Sequence, residues 1–202
     1  MILVASYNNT GLDDTLVLTL QNETRRLELE VESFGDFVIV RNPEGEVVAV
    51  NVFNASNYLE YDKEGAVQLS EDDIAKLNDA LGSNGSDVTL PNDTTPKIVI
   101  GYVEESEPME DSDHLNITQT RVGDDEVYQI VCGAPNVEAG QKVVVALPGA
   151  QMPNGQIIWA GELRGTPSHG MICSARELGL SKDSYGILEL DDDAEVGKAF
   201  FN

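Results

Sequence analysis

Residues 82–96 read GSNGSDVTLPNDTTP, and this break constrains the fold more than any other stretch of the chain. Gly, Ser, Asn, Asp, Thr and Pro dominate it, and these residues turn the backbone while burying little apolar surface. On either side, short apolar runs alternate with turn residues. A boundary therefore falls here, with residues 1–82 as one domain, 83–96 as a linker and 97–202 as a second domain. Two domains suit a length of 202 residues.

Before the break, Ile2–Tyr7, Leu16–Leu20, Leu27–Val31, Phe37–Val40 and Val47–Phe53 are rich in β-branched residues or alternate in polarity, which predicts strands. Leu27-Glu-Leu-Glu-Val31 has a strict period of two, predicting one buried and one wet face. Pro43-Glu44-Gly45-Glu46 lies between two such runs and predicts a hairpin turn. Ser70-Glu-Asp-Asp73 predicts a capped helix start, followed by Ile74, Leu77 and Leu81 at helical spacing, with Gly82 as the stop. The first domain is thus an α+β module of short strands and one helix, with no chemical signature of its own.

After the break, strands are predicted at Lys97–Val103, Leu115–Val122, Val127–Cys132, Lys142–Ala146, Ile157–Leu163 and Ile187–Leu190. Gly101 inside the first of them predicts a bulge or a close backbone approach, as the corner of a small closed barrel needs. Ser174-Ala-Arg-Glu177 predicts a short capped helix ended by Gly179. Five or six strands with one short helix fit an all-β barrel of the OB type.

Twelve Lys and Arg face 36 Asp and Glu, a formal net charge of −24. Residues 1–94 carry 18 acidic and 5 basic side chains, and residues 95–202 carry 18 and 7, so neither half is a basic module. Composition alone argues against a general nucleic-acid binder, whose affinity rests on neutralising phosphates. No apolar run approaches the roughly 18 residues of a membrane span, and Met1–Tyr7 has no basic flank, so it reads as a first strand and not as a signal peptide. Cys132 and Cys173 form neither a disulfide framework nor a zinc spacing, which points to a reducing, cytoplasmic setting.

Four motifs then fall in one order: Val131-Cys-Gly-Ala-Pro-Asn136, Val143-Val-Val-Ala-Leu-Pro-Gly-Ala150, Glu162-Leu-Arg-Gly-Thr-Pro-Ser-His-Gly-Met-Ile-Cys-Ser174 and Glu177-Leu-Gly-Leu180. Together they resemble the tRNA-binding OB domain of the bacterial phenylalanyl-tRNA synthetase β subunit and of the EMAP-II and Arc1p type. A synthetase β subunit would run several hundred residues further. The start, Tyr7-Asn8-Asn9-Thr10-Gly11 with Asp14-Thr15-Leu16, is similar to the small two-domain proteins of the YtpR family. The resemblance implies tRNA binding mainly by shape and backbone, with no catalysis, no cofactor and no metal. It leaves a homodimer and a protein partner open, and no membrane partner is expected.

The resemblance carries Ser168 and Met171 over as RNA-contacting positions, since both match their motif. Family members show His-Pro-Asn-Ala-Asp-Lys-Leu where this chain has Met109-Glu-Asp-Ser-Asp-His-Leu115. Asp111 thus stands for Asn and His114 for Lys, and both exchanges weaken the attraction for a phosphate. Arg164 has a guanidinium able to grip two phosphate oxygens, or to pair with a carboxylate in a chain this acidic. Each other candidate also has two readings. Ser168 touches a phosphate or caps a turn, Met171 contacts RNA or fills a core, and Asn136 contacts RNA or fixes a turn. Lys142 contacts RNA or opens a surface strand, and Trp159 stacks on a base or packs inside. The alternative function is an OB protein-interaction or dimerisation module whose acidic surface meets a basic partner. Cys–His nucleophile pairs and acidic cation sites lack the required spacing.

Overall fold

The computed structural model describes residues 2–23, 28–61, 64–110, 112–182 and 185–201, and the chain divides into two compact units, Met1–Thr95 and Pro96–Asn202. The first unit is a six-stranded antiparallel sheet with one helix. Its strands are β1 (Val4–Asn8), β2 (Thr15–Thr19), β3 (Glu30–Phe34), β4 (Phe37–Arg41), β5 (Val47–Val52) and β6 (Gly65–Val67), in the spatial order β3-β4-β5-β2-β1-β6. Leu16, Leu18, Phe37, Ile39, Val50 and Val52 point to one face and are wholly buried, the alternation expected of a sheet wet on one side. Helix α1 (Glu71–Ser83) lays Ile74, Leu77 and Leu81 into the same core.

The helix starts as its sequence requires. Ser70 Oγ accepts the Asp73 N–H, and the Asp73 carboxylate accepts the Ser70 N–H in return. It runs one residue past Gly82, to Ser83, and the left-handed turn falls on Gly85 at φ +87°. Pro43–Glu46 makes the β4–β5 hairpin, with Gly45 at φ +82° donating to the Asn42 carbonyl at 2.9 Å.

Two expectations need correction. Leu27 lies outside the described residues, and the strand predicted over 27–31 begins at Glu30 instead. It is the edge strand of the sheet, and Val31 is 63% exposed, so no face of it is buried at that position. The segment expected as a linker is also not slack throughout: Leu90 is buried in the first core, and Asn78 exchanges hydrogen bonds with both its N–H (2.7 Å) and its carbonyl (3.2 Å).

The second unit holds β7 (Ile98–Pro108), β8 (Asn116–Arg121), β9 (Val127–Cys132), β10 (Lys142–Ala146), β11 (Gly161–Leu163), β12 (Thr166–Ser168), β13 (Met171–Ile172) and β14 (Glu189–Leu190). The main sheet runs β13-β10-β7-β8-β9, with β14 pairing on β10. Its two ends come together where His169 N–H donates to the Gln129 carbonyl (2.8 Å) and Gln129 Nε2 to the Pro167 carbonyl (2.8 Å). The result is a nearly closed barrel of the OB type.

Gly101 provides the close approach, since a Cβ there would lie 2.6 Å from Val145 Cγ2. The irregularity in β7 comes later, between Val103 and Glu105. Of the strand expected over 157–163 only Gly161–Leu163 pairs as one, with β12. Ser174–Gly179, expected as a short helix, is a single turn closed at both ends. Ser174 and Glu177 form the reciprocal cap, and Leu180 and Gly179 donate back to Ala175 and Arg176, with Gly179 left-handed at φ +72°.

Candidate nucleic-acid interface

A cavity of about 790 Å³ opens on the rim of the barrel between the end of β9, the start of β13 and the loop leading to β14. Gly133, Met171, Ser174, Arg176 and Gly186 are among the residues lining it. Met171 is half-buried there, with part of its side chain packed against a small core and part facing the cavity. Arg176 was not singled out by sequence, where it reads only as the interior of a capped turn. That turn's tight closure by Ser174 and Gly179 is what holds it at the rim.

Arg164 sits at the tip of the β11–β12 hairpin. Arg164 (φ +51°) and Gly165 (φ +79°) are both left-handed, the requirement of a two-residue hairpin whose twist matches its strands. Glycine is free there, but arginine pays steric strain for a left-handed backbone. Across from it, His114 Nδ1 lies 2.8 Å from Asp113 Oδ1. The hydrogen bond from His114, then a backbone N–H and the charges of His114 and Arg164, hold the Asp113 carboxyl below the usual carboxylate range. Arg164, His114 and Asp113 therefore share one electrostatic neighbourhood. Asp111, the other exchanged position, lies outside the described residues.

The remaining candidates hold the barrel together. Ser168 Oγ accepts the Val131 N–H at 3.1 Å, which links β12 to β9. Asn136 clamps the cavity's far wall: its Oδ1 accepts the Ile187 N–H (2.9 Å) and its Nδ2 donates to the Ile187 carbonyl (3.2 Å). Lys142 Nζ donates to the carbonyls of Asp192 and Ala194, the latter at 2.8 Å, and ties β10 to the turn after β14. Its ammonium is spent on that turn. Arg121 is likewise engaged, by Glu104 at 2.9 Å and by the face of Tyr102.

Cys132 and Cys173 are buried, and burial raises both thiols, Cys173 to about 12. Nucleophilic cysteines need the opposite shift. Among the described residues no three His, Cys, Asp or Glu side chains group to hold a metal ion, and no helix is long and apolar enough to cross a membrane.

A strand-and-helix unit followed by an OB-type barrel with a rim cavity defines the class, that of two-domain proteins built on an OB module. The sequence of the barrel specifies it further: a family described as "Putative tRNA binding domain" matches residues 98–199, and a "Domain of unknown function (DUF4479)" matches residues 24–93. The "Putative tRNA-binding protein YtpR" of Bacillus subtilis is 49% identical over 199 residues, 97% of this chain and 98% of that protein. The chain belongs to the YtpR family.

The phenylalanine–tRNA ligase β subunit of Nitratidesulfovibrio vulgaris is 45% identical over 130 residues, and that of Aromatoleum aromaticum 50% over 105. These matches cover 63% and 52% of this chain but only 16% and 13% of those much longer proteins. The C-terminal domain of Plasmodium vivax p43 aligns with half of the chain at 26% identity and a TM-score of 0.37.

Proposed function

We propose that this protein binds tRNA through its second unit, without catalysis, and recognises mainly the shape and backbone of the RNA. The observation that carries the reading is the rim cavity, where Met171 and Arg176 line one opening. Arg164 is presented nearby on a strained hairpin tip facing the Asp113–His114 pair. Strain at an exposed cation is retained where the side chain has work to do. Guanidinium groups on a barrel rim suit phosphate contacts, which position an RNA without reading its bases. Raised, buried thiols support a non-catalytic role.

Fluorescence anisotropy of labelled total bacterial tRNA, titrated at two salt concentrations, tests the reading. Saturable binding that weakens with salt and exceeds that of duplex RNA is expected. His114→Lys should tighten it, because a full positive charge then replaces the imidazole beside Asp113. No binding at low salt refutes the proposal and favours a basic protein partner for the acidic surface.

A further inference from the structure

The loop from Arg176 to Ile187 ends in an aromatic side chain that the fold holds out into solvent. Tyr185 is 88% exposed, the most exposed large apolar side chain among the described residues. Its neighbours Gly186 and Ile187 line the rim cavity. The turn at 174–179 and the backbone at 186–187 are fixed. At the front, the capped turn buries Leu178. At the back, Ile187 is buried and clamped through its N–H and carbonyl by Asn136. Gly186 completes the clamp at φ +82°, where an added Cβ would lie 2.0 Å from Asn136 Oδ1. The backbone that follows Tyr185 is therefore anchored while its ring packs on little of its own protein. Leu180, on the same loop, is 56% exposed, and Arg176 and Lys182 supply two positive charges.

We infer that Tyr185 is a stacking platform for an unpaired nucleobase of the bound tRNA, a role that rests on the tRNA-binding reading above. Every base has a flat π-face, so a tyrosine ring takes any of them without reading sequence. Trp159, the other aromatic with a stacking reading, is half-buried near the buried Ile158 and offers less of its ring. Anchoring at Gly186 and Ile187 also limits the ordering cost of binding at the residue before them.

The test uses the full chain and three RNAs: total tRNA, a single-stranded oligonucleotide and a fully paired duplex. Tyr185→Ala should weaken tRNA and single-strand binding by about ten-fold, within the range of one lost base stack. Tyr185→Phe should bind within about two-fold of the unaltered protein, Tyr185→Leu should resemble Tyr185→Ala, and duplex binding and the salt slope should not move. The exposed ring makes the fold indifferent to these changes, and the Trp159 emission of each variant checks it. If the unaltered chain binds no tRNA, the functional reading fails first and the stacking role fails with it. If it binds and Tyr185→Ala binds equally well, or loses duplex affinity in the same proportion, the stacking role alone is overturned.

Discussion

The Asn136–Gly186–Ile187 clamp makes the sharpest quantitative prediction. Asn136→Ala removes two hydrogen bonds to Ile187, whose backbone lies in a residue only 7% exposed. Two bonds at about 1 kcal/mol each, with some cost for the polar groups left behind, give a loss of about 2–3 kcal/mol. Gly186→Ala should cost more. Its φ of +82° imposes about 1 kcal/mol on any L-residue, and the new methyl meets Asn136 Oδ1 at 2.0 Å, so the clamp opens as well. The expected total is about 3–4 kcal/mol. In the double variant the clamp is already gone, and only the backbone term remains to be added. The pair should therefore lose about 3–4 kcal/mol, well short of the 5–7 of additive sites, a coupling of about 2–3 kcal/mol. Urea unfolding followed by Trp159, the chain's one tryptophan and part of the second unit, reports this directly. With a slope near 1.5 kcal/mol per molar, Asn136→Ala should lower the midpoint by roughly 1–2 M, and the double variant should match Gly186→Ala. Additive midpoints, or an Asn136→Ala midpoint equal to that of the unaltered chain, would refute the clamp.

Arg164→Ala and Arg164→Gly should each flatten the salt dependence of tRNA binding by about one phosphate, but only glycine should leave the hairpin's stability intact or raised, because position 164 is left-handed. Equal stabilities for the two variants would show that the turn does not impose that conformation. Lys142→Met should lower the urea midpoint while leaving the salt slope alone, since its ammonium is held by Asp192 and Ala194; an altered slope would place it at the RNA. Cys173 ties stability to alkaline pH. Its folded thiol is pushed from 9.0 to about 12, so the unfolded chain ionises first. Stability should be complete below pH 9 and fall as pH rises from 9 towards 12, an effect that Cys173→Ala should shrink in the pH dependence of the urea midpoint, leaving the smaller part due to Cys132.

Local signals were legible in the sequence where their partners are also local. The Ser70–Asp73 and Ser174–Glu177 caps and the Gly45 hairpin all depend on neighbours a few residues away, and each stands where the residues put it. What sequence could not show depends on distance along the chain. Asn136 and Lys142 are candidate RNA contacts in the sequence, and the partners that hold them in the fold, Ile187 and the carbonyls of Asp192 and Ala194, lie some fifty residues on, out of reach of any local pattern. Leu90 sits among turn residues, yet Asn78 on the helix draws it into the core. The strand at 27–31 has the right period, but period does not say that a strand will lie at a sheet's edge with no partner layer over it. Tyr185 carries no pattern at all: only its exposure, ahead of the anchored Gly186 and Ile187, marks it.

The acidity that opposes RNA binding in the composition limits how many charges take part. Of the seven cations in residues 95–202, Arg121 is bound to Glu104, Lys142 to main-chain carbonyls, and Lys198 lies 3.9 Å from Glu195. With Lys97, Arg164, Arg176 and Lys182 these make up the seven, and the seven together set a ceiling on phosphate contacts made by this unit. At about 0.9 counterions released per contact in a duplex, and less in single strands, the log–log slope of affinity against salt should be no steeper than about −6. A protein so limited must draw the rest of its affinity from shape and stacking, which weaken little with salt. A measured slope well beyond −6 would require cations from outside this unit, and would bring the first domain, so far without a chemical role, into contact with the RNA.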